Sequence, residues 1–113
     1  MTLKEFCLSC NFDIVCGDEN CEFEFSGVYT GDFLSRAMSK VEFQNLWVTV
    51  MTNTNVIAVA SLTEASAVIL AEGVNLPPEA KEAAQTNCIN VVSSTLSAYE
   101  ICVMLNKLYG ENL

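Results

Sequence analysis

Two apolar, β-branched segments, Leu46–Met51 and Ala67–Ala71, stand about fifteen residues apart, and the length of that interval limits what the chain can become. Both segments read as buried strands. Antiparallel neighbours can be joined by a tight hairpin, whereas parallel neighbours need a crossover of about a dozen residues or more, usually a helix. Inside the interval, Val56–Leu62 is itself rich in β-branched residues and would also suit a strand behind the turn Thr52–Asn55. Connectivity argues against that strand. The interval fits one crossover helix capped by Thr54 or Asn55, and Ala58, Ala60 and Ala65 would let it lie close on a sheet.

The rest of the chain keeps the same rhythm. Thr2 with Glu5 forms a capping box, and Leu3, Phe6, Cys7 and Cys10 then fall at helical spacing. Phe12–Cys16 and Cys21–Phe25 alternate and read as strands, separated by the turn Gly17–Asn20. Ser26–Asp32 is a glycine-bearing loop before a helix carrying Phe33, Leu34, Ala37 and Met38 on one side. Gly73 ends the strand Ala67–Ala71. Pro77 and Pro78 suit the first turn of a helix running to about Thr86. Ile89–Val92 is the last strand. Ser94 or Thr95 caps a final helix with Leu96, Tyr99, Ile101, Cys102, Leu105 and Leu108 on its apolar face. Strands alternating with helices give an α/β fold, a three-layer α/β/α arrangement around a mostly parallel sheet, with residues 1–113 as a single domain.

Charge and composition narrow the function classes. Five Lys and Arg against fourteen Asp and Glu give a net charge of −9, which disfavours nucleic acid as a partner. With no His, Ser-His-Asp catalysis, His-ligated zinc and a His proton shuttle are excluded. The chain has no Walker-type phosphate loop, and no catalytic group and no cofactor are assigned. Met1–Phe6 lacks the apolar core of a secretory signal, and runs such as Val56–Ala60 are too short for a bilayer. These features place the chain in the cytoplasm, away from membranes, with its six cysteines as thiols. Cys7, Cys10, Cys16 and Cys21 follow the pattern C-x2-C-x5-C-x4-C. Four thiolates could hold zinc or an iron–sulfur cluster. Yet only Cys7-Leu8-Ser9-Cys10 makes a knuckle, and burial as small hydrophobes is the favoured reading.

Three ordered blocks resemble a known family. Gly27-Val28-Tyr29-Thr30-Gly31-Asp32-Phe33-Leu34-Ser35, Leu46-Trp47-Val48-Thr49-Val50-Met51-Thr52-Asn53-Thr54-Asn55-Val56-Ile57-Ala58-Val59-Ala60 and Leu96-Ser97-Ala98-Tyr99-Glu100 resemble stretches of small DRTGG-domain proteins. The five-letter signature itself is absent, and Asn53 stands where the family carries His. The resemblance implies a compact α/β/α domain like the N-terminal domain of HPr kinase/phosphorylase. Related domains lie between the CBS domains of some inorganic pyrophosphatases and help form a dimer. It implies a regulatory or ligand-binding module without kinase chemistry.

Loops that follow parallel strands gather at one sheet edge, where small ligands bind in such folds. The loops expected there are Gly27–Asp32, Thr52–Asn55, Glu72-Gly73 and Ser93–Ser97. The first contributes Gly27, Tyr29, Thr30, Gly31 and Asp32, with Ser35 just beyond. The second contributes Thr52, Asn53, Thr54 and Asn55, and the last Ser94 and Ser97. Polar groups ahead of helices suit a small anion, Tyr29 suits stacking on a flat ring, and Arg36 or Lys40 suits a phosphate. The same residues also serve as ordinary caps, turns and packing groups. Met104, Leu105, Leu108 and Tyr109 would extend the last helix's apolar face into a homodimer contact. The chain therefore reads as a non-catalytic regulatory domain, homodimeric, binding a small anionic ligand or adenine nucleotide. The alternatives are a cysteine-ligated metal or cluster protein, and a module docking on a basic patch of a larger redox or kinase enzyme.

Overall fold

A computed structural model describes residues 1–113, apart from the side chain of Asn112. Its elements are α1 (Leu3–Cys10), β1 (Asp13–Cys16), β2 (Gly27–Thr30), α2 (Leu34–Lys40), β3 (Asn45–Thr49), α3 (Thr54–Thr63), β4 (Ala67–Leu70), α4 (Pro78–Thr86), β5 (Val91–Ser93) and α5 (Ala98–Tyr109). The interval between β3 and β4 is helical. Asn53, one residue before the expected caps, accepts from the N–H groups of Asn55 and Val56 at 3.0 and 3.3 Å. The helix ends at Glu64, which turns left-handed and returns its N–H to the carbonyls of Ala60 and Ser61.

Among the described residues the strands form one sheet in the order β1-β5-β4-β3-β2. β2 to β5 pair in parallel, and β1 lies antiparallel to β5 at the edge. Each crossover steps to the next strand in the same direction. Right-handed crossovers of that kind put every connecting helix on one face. Accordingly α2, α3 and α4 bury Ala37, Val56, Ile57, Val59, Ala60, Ala80 and Ala84 with Trp47, Val68, Leu70 and Val91 of the sheet. α1 and α5 cover the other face, where Leu3, Phe6, Ile101 and Leu105 meet Leu46, Val48, Ile69 and Val92. The α/β fold has the three expected layers.

Several local expectations are corrected. Cys21–Phe25 is not a strand; a single bridge joins Thr2 and Glu22. The stretch lies extended against α1, through Leu3 N–H to Cys21 O (3.1 Å) and Phe23 N–H to Met1 O (2.8 Å). Its alternation is real, but the inward residues Phe23 and Phe25 pack on Phe6, with ring centres 4.9 and 5.3 Å away. Gly27–Thr30 is an edge strand rather than a loop, because Val28, Tyr29 and Thr30 suit pairing with Leu46–Val48. β5 is Val91–Ser93, two residues later than Ile89 predicts. Ser97, not Ser94 or Thr95, caps α5. α2 turns Ala37 inward but leaves Phe33 and Met38 exposed. On α5, Ile101 and Leu105 are fully buried, whereas Tyr99 and Leu108 face solvent.

The roll of α5 is open to measurement. Leu105→Ala removes a fully buried side chain and is expected to cost about 2–5 kcal/mol by urea unfolding. Tyr99→Ala, on the outer face, is expected to change stability by less than about 0.5 kcal/mol. The reverse order would mean that α5 presents a different face to the sheet.

Candidate functional site

The carboxyl ends of the parallel strands deliver their loops side by side in the order of the sheet. After β2, the Gly31 N–H donates to Val48 O at 3.1 Å. Asp32 Oδ1 then accepts from the Thr49 hydroxyl at 2.7 Å and the Val50 N–H at 3.0 Å. Asp32 therefore ties the end of β2 to the end of β3. It does not cap α2, whose cap position is Phe33 and lacks a side-chain bond. After β3 come Thr52, half-buried, and the Asn53 cap, with Thr54 and Asn55 exposed in the first turn of α3. After β5, Ser94 is buried and accepts from Leu96 N–H at 3.0 Å. Ser97 and Glu100 form a reciprocal capping box at 3.0 and 3.2 Å.

Adjacent strands whose connections leave toward opposite faces open a crevice in an α/β sheet. Here that divergence lies between β4, which leads to α4, and β5, which leads to α5. The crevice is laced shut by Glu72 N–H to Leu96 O (2.8 Å) and Gly73 N–H to Ser94 O (2.9 Å). Gly73 takes φ +69° there, a conformation glycine adopts at little cost.

The structure thus gathers Asp32, Thr52, Asn53, Thr54, Asn55, Ser94 and Ser97 along one edge, most of them already used as caps or ties. Thr30 ends β2 at that edge. Ser35 is exposed in the first turn of α2. Gly27 lies at the other end of β2. Its neighbour Tyr29 folds against Gly31, where an added Cβ would sit 3.0 Å from the tyrosine oxygen. Gly27 and Tyr29 line a separate hollow of about 450 Å³ with Lys40, Glu42 and Asn45. Trp47 is core, its indole N–H donating to Gly31 O at 3.0 Å. Two aromatic residues that the loop reading passed over stand at the carboxyl edge: Phe33 after β2 and Tyr99 in the first turn of α5, 69% and 77% exposed.

The N-terminal cysteines do not converge. Cys7 and Cys10 are buried on the α1 and α5 side of the sheet, whereas Cys16 packs on the opposite side. Burial pushes the Cys7 thiol up to about 11, helped by the neighbouring Cys10 and Asp13 charges. Burial also raises Cys10, Cys16 and Cys102. Among the described residues no group of three or more His, Cys, Asp or Glu could hold a metal ion, so the four-cysteine metal reading has no geometry behind it. No helix among the described residues is long and apolar enough to cross a membrane.

A larger cavity, of about 690 Å³, lies away from the carboxyl edge, between the end of β1, α4 and the start of β5. Its lining includes Cys16, Cys21, Cys88 and Lys81. No periodicity links these positions; the antiparallel placement of β1 against β5 brings them together.

No family model matches the sequence. No curated protein matches it either. Among solved structures, the fold is similar to the crystal structure of the CBS and DRTGG domains of the regulatory region of Clostridium perfringens pyrophosphatase, complexed with the activator diadenosine tetraphosphate. The TM-score is 0.72 at 11% identity, over 92% of this chain and 45% of that one. The chain folds as a DRTGG-like domain. It spans less than half the length of the pyrophosphatase chain it matches.

The Asp32 tie makes a direct prediction for this domain. Asp32→Ala strips the acceptor from the buried Thr49 hydroxyl and is expected to lower stability by about 1–3 kcal/mol in urea unfolding. Asp32→Asn, which keeps an oxygen, should lose less. A cost for Asp32→Ala no greater than that of Glu82→Ala, on the exposed side of α4, would show that the tie contributes nothing.

Proposed function

We propose that this DRTGG-like domain is regulatory, acting by binding a small anionic ligand of the adenine-nucleotide type and by pairing with a second copy of itself. The observation that carries the ligand is the makeup of the carboxyl edge. The N-termini of α3 and α5 point their dipoles there, the exposed rings of Phe33 and Tyr99 suit stacking on a base, and Arg36 supplies a cation in the first turn of α2. The likeness to a regulatory region crystallised with a dinucleotide activator supports the same ligand class. An anion at α3 shares the first-turn N–H groups with the Asn53 side chain, so binding and capping are coupled at that residue.

The outer face of α5 supports self-association. Tyr99, Val103 and Leu108 are exposed there, and with Leu96 and Met104 they line an apolar groove of about 450 Å³. Leu105 and Tyr109 point inward instead: Leu105 is core, and Tyr109 packs on Phe25 at 5.2 Å and bonds Ser9. Two copies of a chain carrying −9 repel one another at low ionic strength, so salt should tighten the pair.

A thermal-shift panel of AMP, ADP, ATP, diadenosine tetraphosphate, adenosine and inorganic phosphate tests the ligand. A nucleotide at saturating concentration should raise Tm by about 2 °C or more, and Phe33→Ala, outside the α5 groove, should lose most of that rise. A flat panel would sink the ligand half of the reading. Sedimentation at two salt concentrations tests the pair: the expected result is a dimer that strengthens with salt and that Val103→Glu converts to monomer. A monomer at every concentration and salt level would remove self-association.

A further inference from the structure

Chemistry separates the cavity between β1, α4 and β5 from the carboxyl edge. It collects the thiols of Cys16, Cys21 and Cys88 and the ammonium of Lys81 around about 690 Å³, a volume in the range that holds small organic molecules. Its walls are built closely. β1 bulges between Ile14 and Cys16. Gly17 adopts φ +133°, and a Cβ there would meet Asn90 Oδ1 at 2.5 Å, so the chain must carry glycine at that wall. Cys88 follows α4 with φ +55°, a position where glycine is the low-energy choice. Its backbone N–H returns to Gln85 O at 3.3 Å, and its side chain stays exposed.

The thiols differ in access. Cys7 and Cys10 are sealed in the core, and Cys102 is half-buried at α5. Cys21 is half-buried and packs toward the α1 and α5 side. Cys16 is buried on the α4 side beside Ala84 and Ile89, the residue that follows Cys88. Cys16 feels both neighbours: burial raises its thiol, the Lys81 charge pulls it down, and the Cys88 charge pushes it up. The exposed thiol can thus meet a solution oxidant, and the buried one lines the same cavity.

We propose that Cys88 and Cys16 form a redox-modified thiol pair, with Cys88 capturing a low-molecular-weight anionic disulfide in this cavity and Cys16 resolving it. In the first step the Cys88 thiolate attacks one sulfur of the small disulfide. A Cys88–S–S–R bond forms, the original S–S bond breaks, and one RS⁻ leaves and takes up the proton released by Cys88. In the second step the Cys16 thiolate attacks the Cys88 sulfur. The Cys16–Cys88 bond forms, and the second RS⁻ leaves and takes the Cys16 proton. Two protein thiols are oxidised to one disulfide while one RSSR is reduced to two RSH. Lys81 serves both steps, facing the carboxylates of the incoming anion and favouring the Cys16 thiolate. The link would pin the edge strand β1 to the connection between α4 and β5.

The test uses the full chain and oxidised glutathione, followed by intact mass and non-reducing peptide mapping. The expected product is a protein lighter by two hydrogens, carrying a Cys16–Cys88 linked peptide that dithiothreitol reverses. Cys88→Ser should slow oxidation of Cys16 by about tenfold or more. Cys16→Ala should halt with a single glutathione on Cys88. Lys81→Gln should slow formation of the linked product while the fold, checked by circular dichroism, is unchanged. A wild-type chain that stops at a stable Cys88 adduct, a link that maps to Cys21, or a Cys88→Ser variant oxidised at the wild-type rate would each overturn the proposal.

Discussion

The helix between β3 and β4 decides the architecture, and it holds its shape through burial more than through propensity. α3 carries Val56, Ile57 and Val59, residues that lose rotamer freedom in a helix. All three are buried against the sheet, as is Ala60. Their partners are Trp47, Val68 and Leu70, so the helix and the two strands it connects are stabilised by the same interface. Once that crossover is right-handed, the neighbouring ones follow it to the same face. The chain must then return along the opposite face, which α1 and α5 cover.

That winding also governs where chemistry can gather. Because β2, β3 and β4 all send their chains to one face, divergence arises only where α5 leaves β5 for the other. Two backbone hydrogen bonds close that gap, so the carboxyl edge is a polar ridge set with exposed rings. The open volume lies instead beside β1, the strand that runs against its neighbour. A reversed strand at a sheet edge brings its own end next to the start of its partner, and that is how thiols from the two ends of the sequence come to share a wall.

The architecture was legible because it rests on lengths and on β-branched runs, which a sequence displays directly. The Asn53 cap, the Pro77-Pro78 start of α4 and the strand Ala67–Leu70 follow from local chemistry, to within a residue or so. Period-two alternation misled at Cys21–Phe25, since an extended segment laid on a helix shows the same inward and outward pattern as a paired strand. At Ser26–Asp32 the two glycines, Gly27 and Gly31, suggest a loop despite three good strand residues between them, and only pairing with β3 reverses that. The site was harder to read than the fold. Asp32 finds its acceptor role through Thr49 and Val50, seventeen and eighteen residues away, and the Cys16 and Cys88 neighbourhood depends on a strand direction that no local pattern encodes.

Phe6, Phe23, Phe25 and Tyr109 form one aromatic cluster, with Phe6 and Tyr109 ring centres 6.0 Å apart. The surface on which α1 rests is therefore finished by α5. During synthesis, the aromatic cluster of α1 and the extended stretch after it can be completed only once α5 has been made. A stop codon placed before α5 would leave Phe6 its contacts with Phe12 and Phe23 but strip away the Tyr109 ring that closes the cluster.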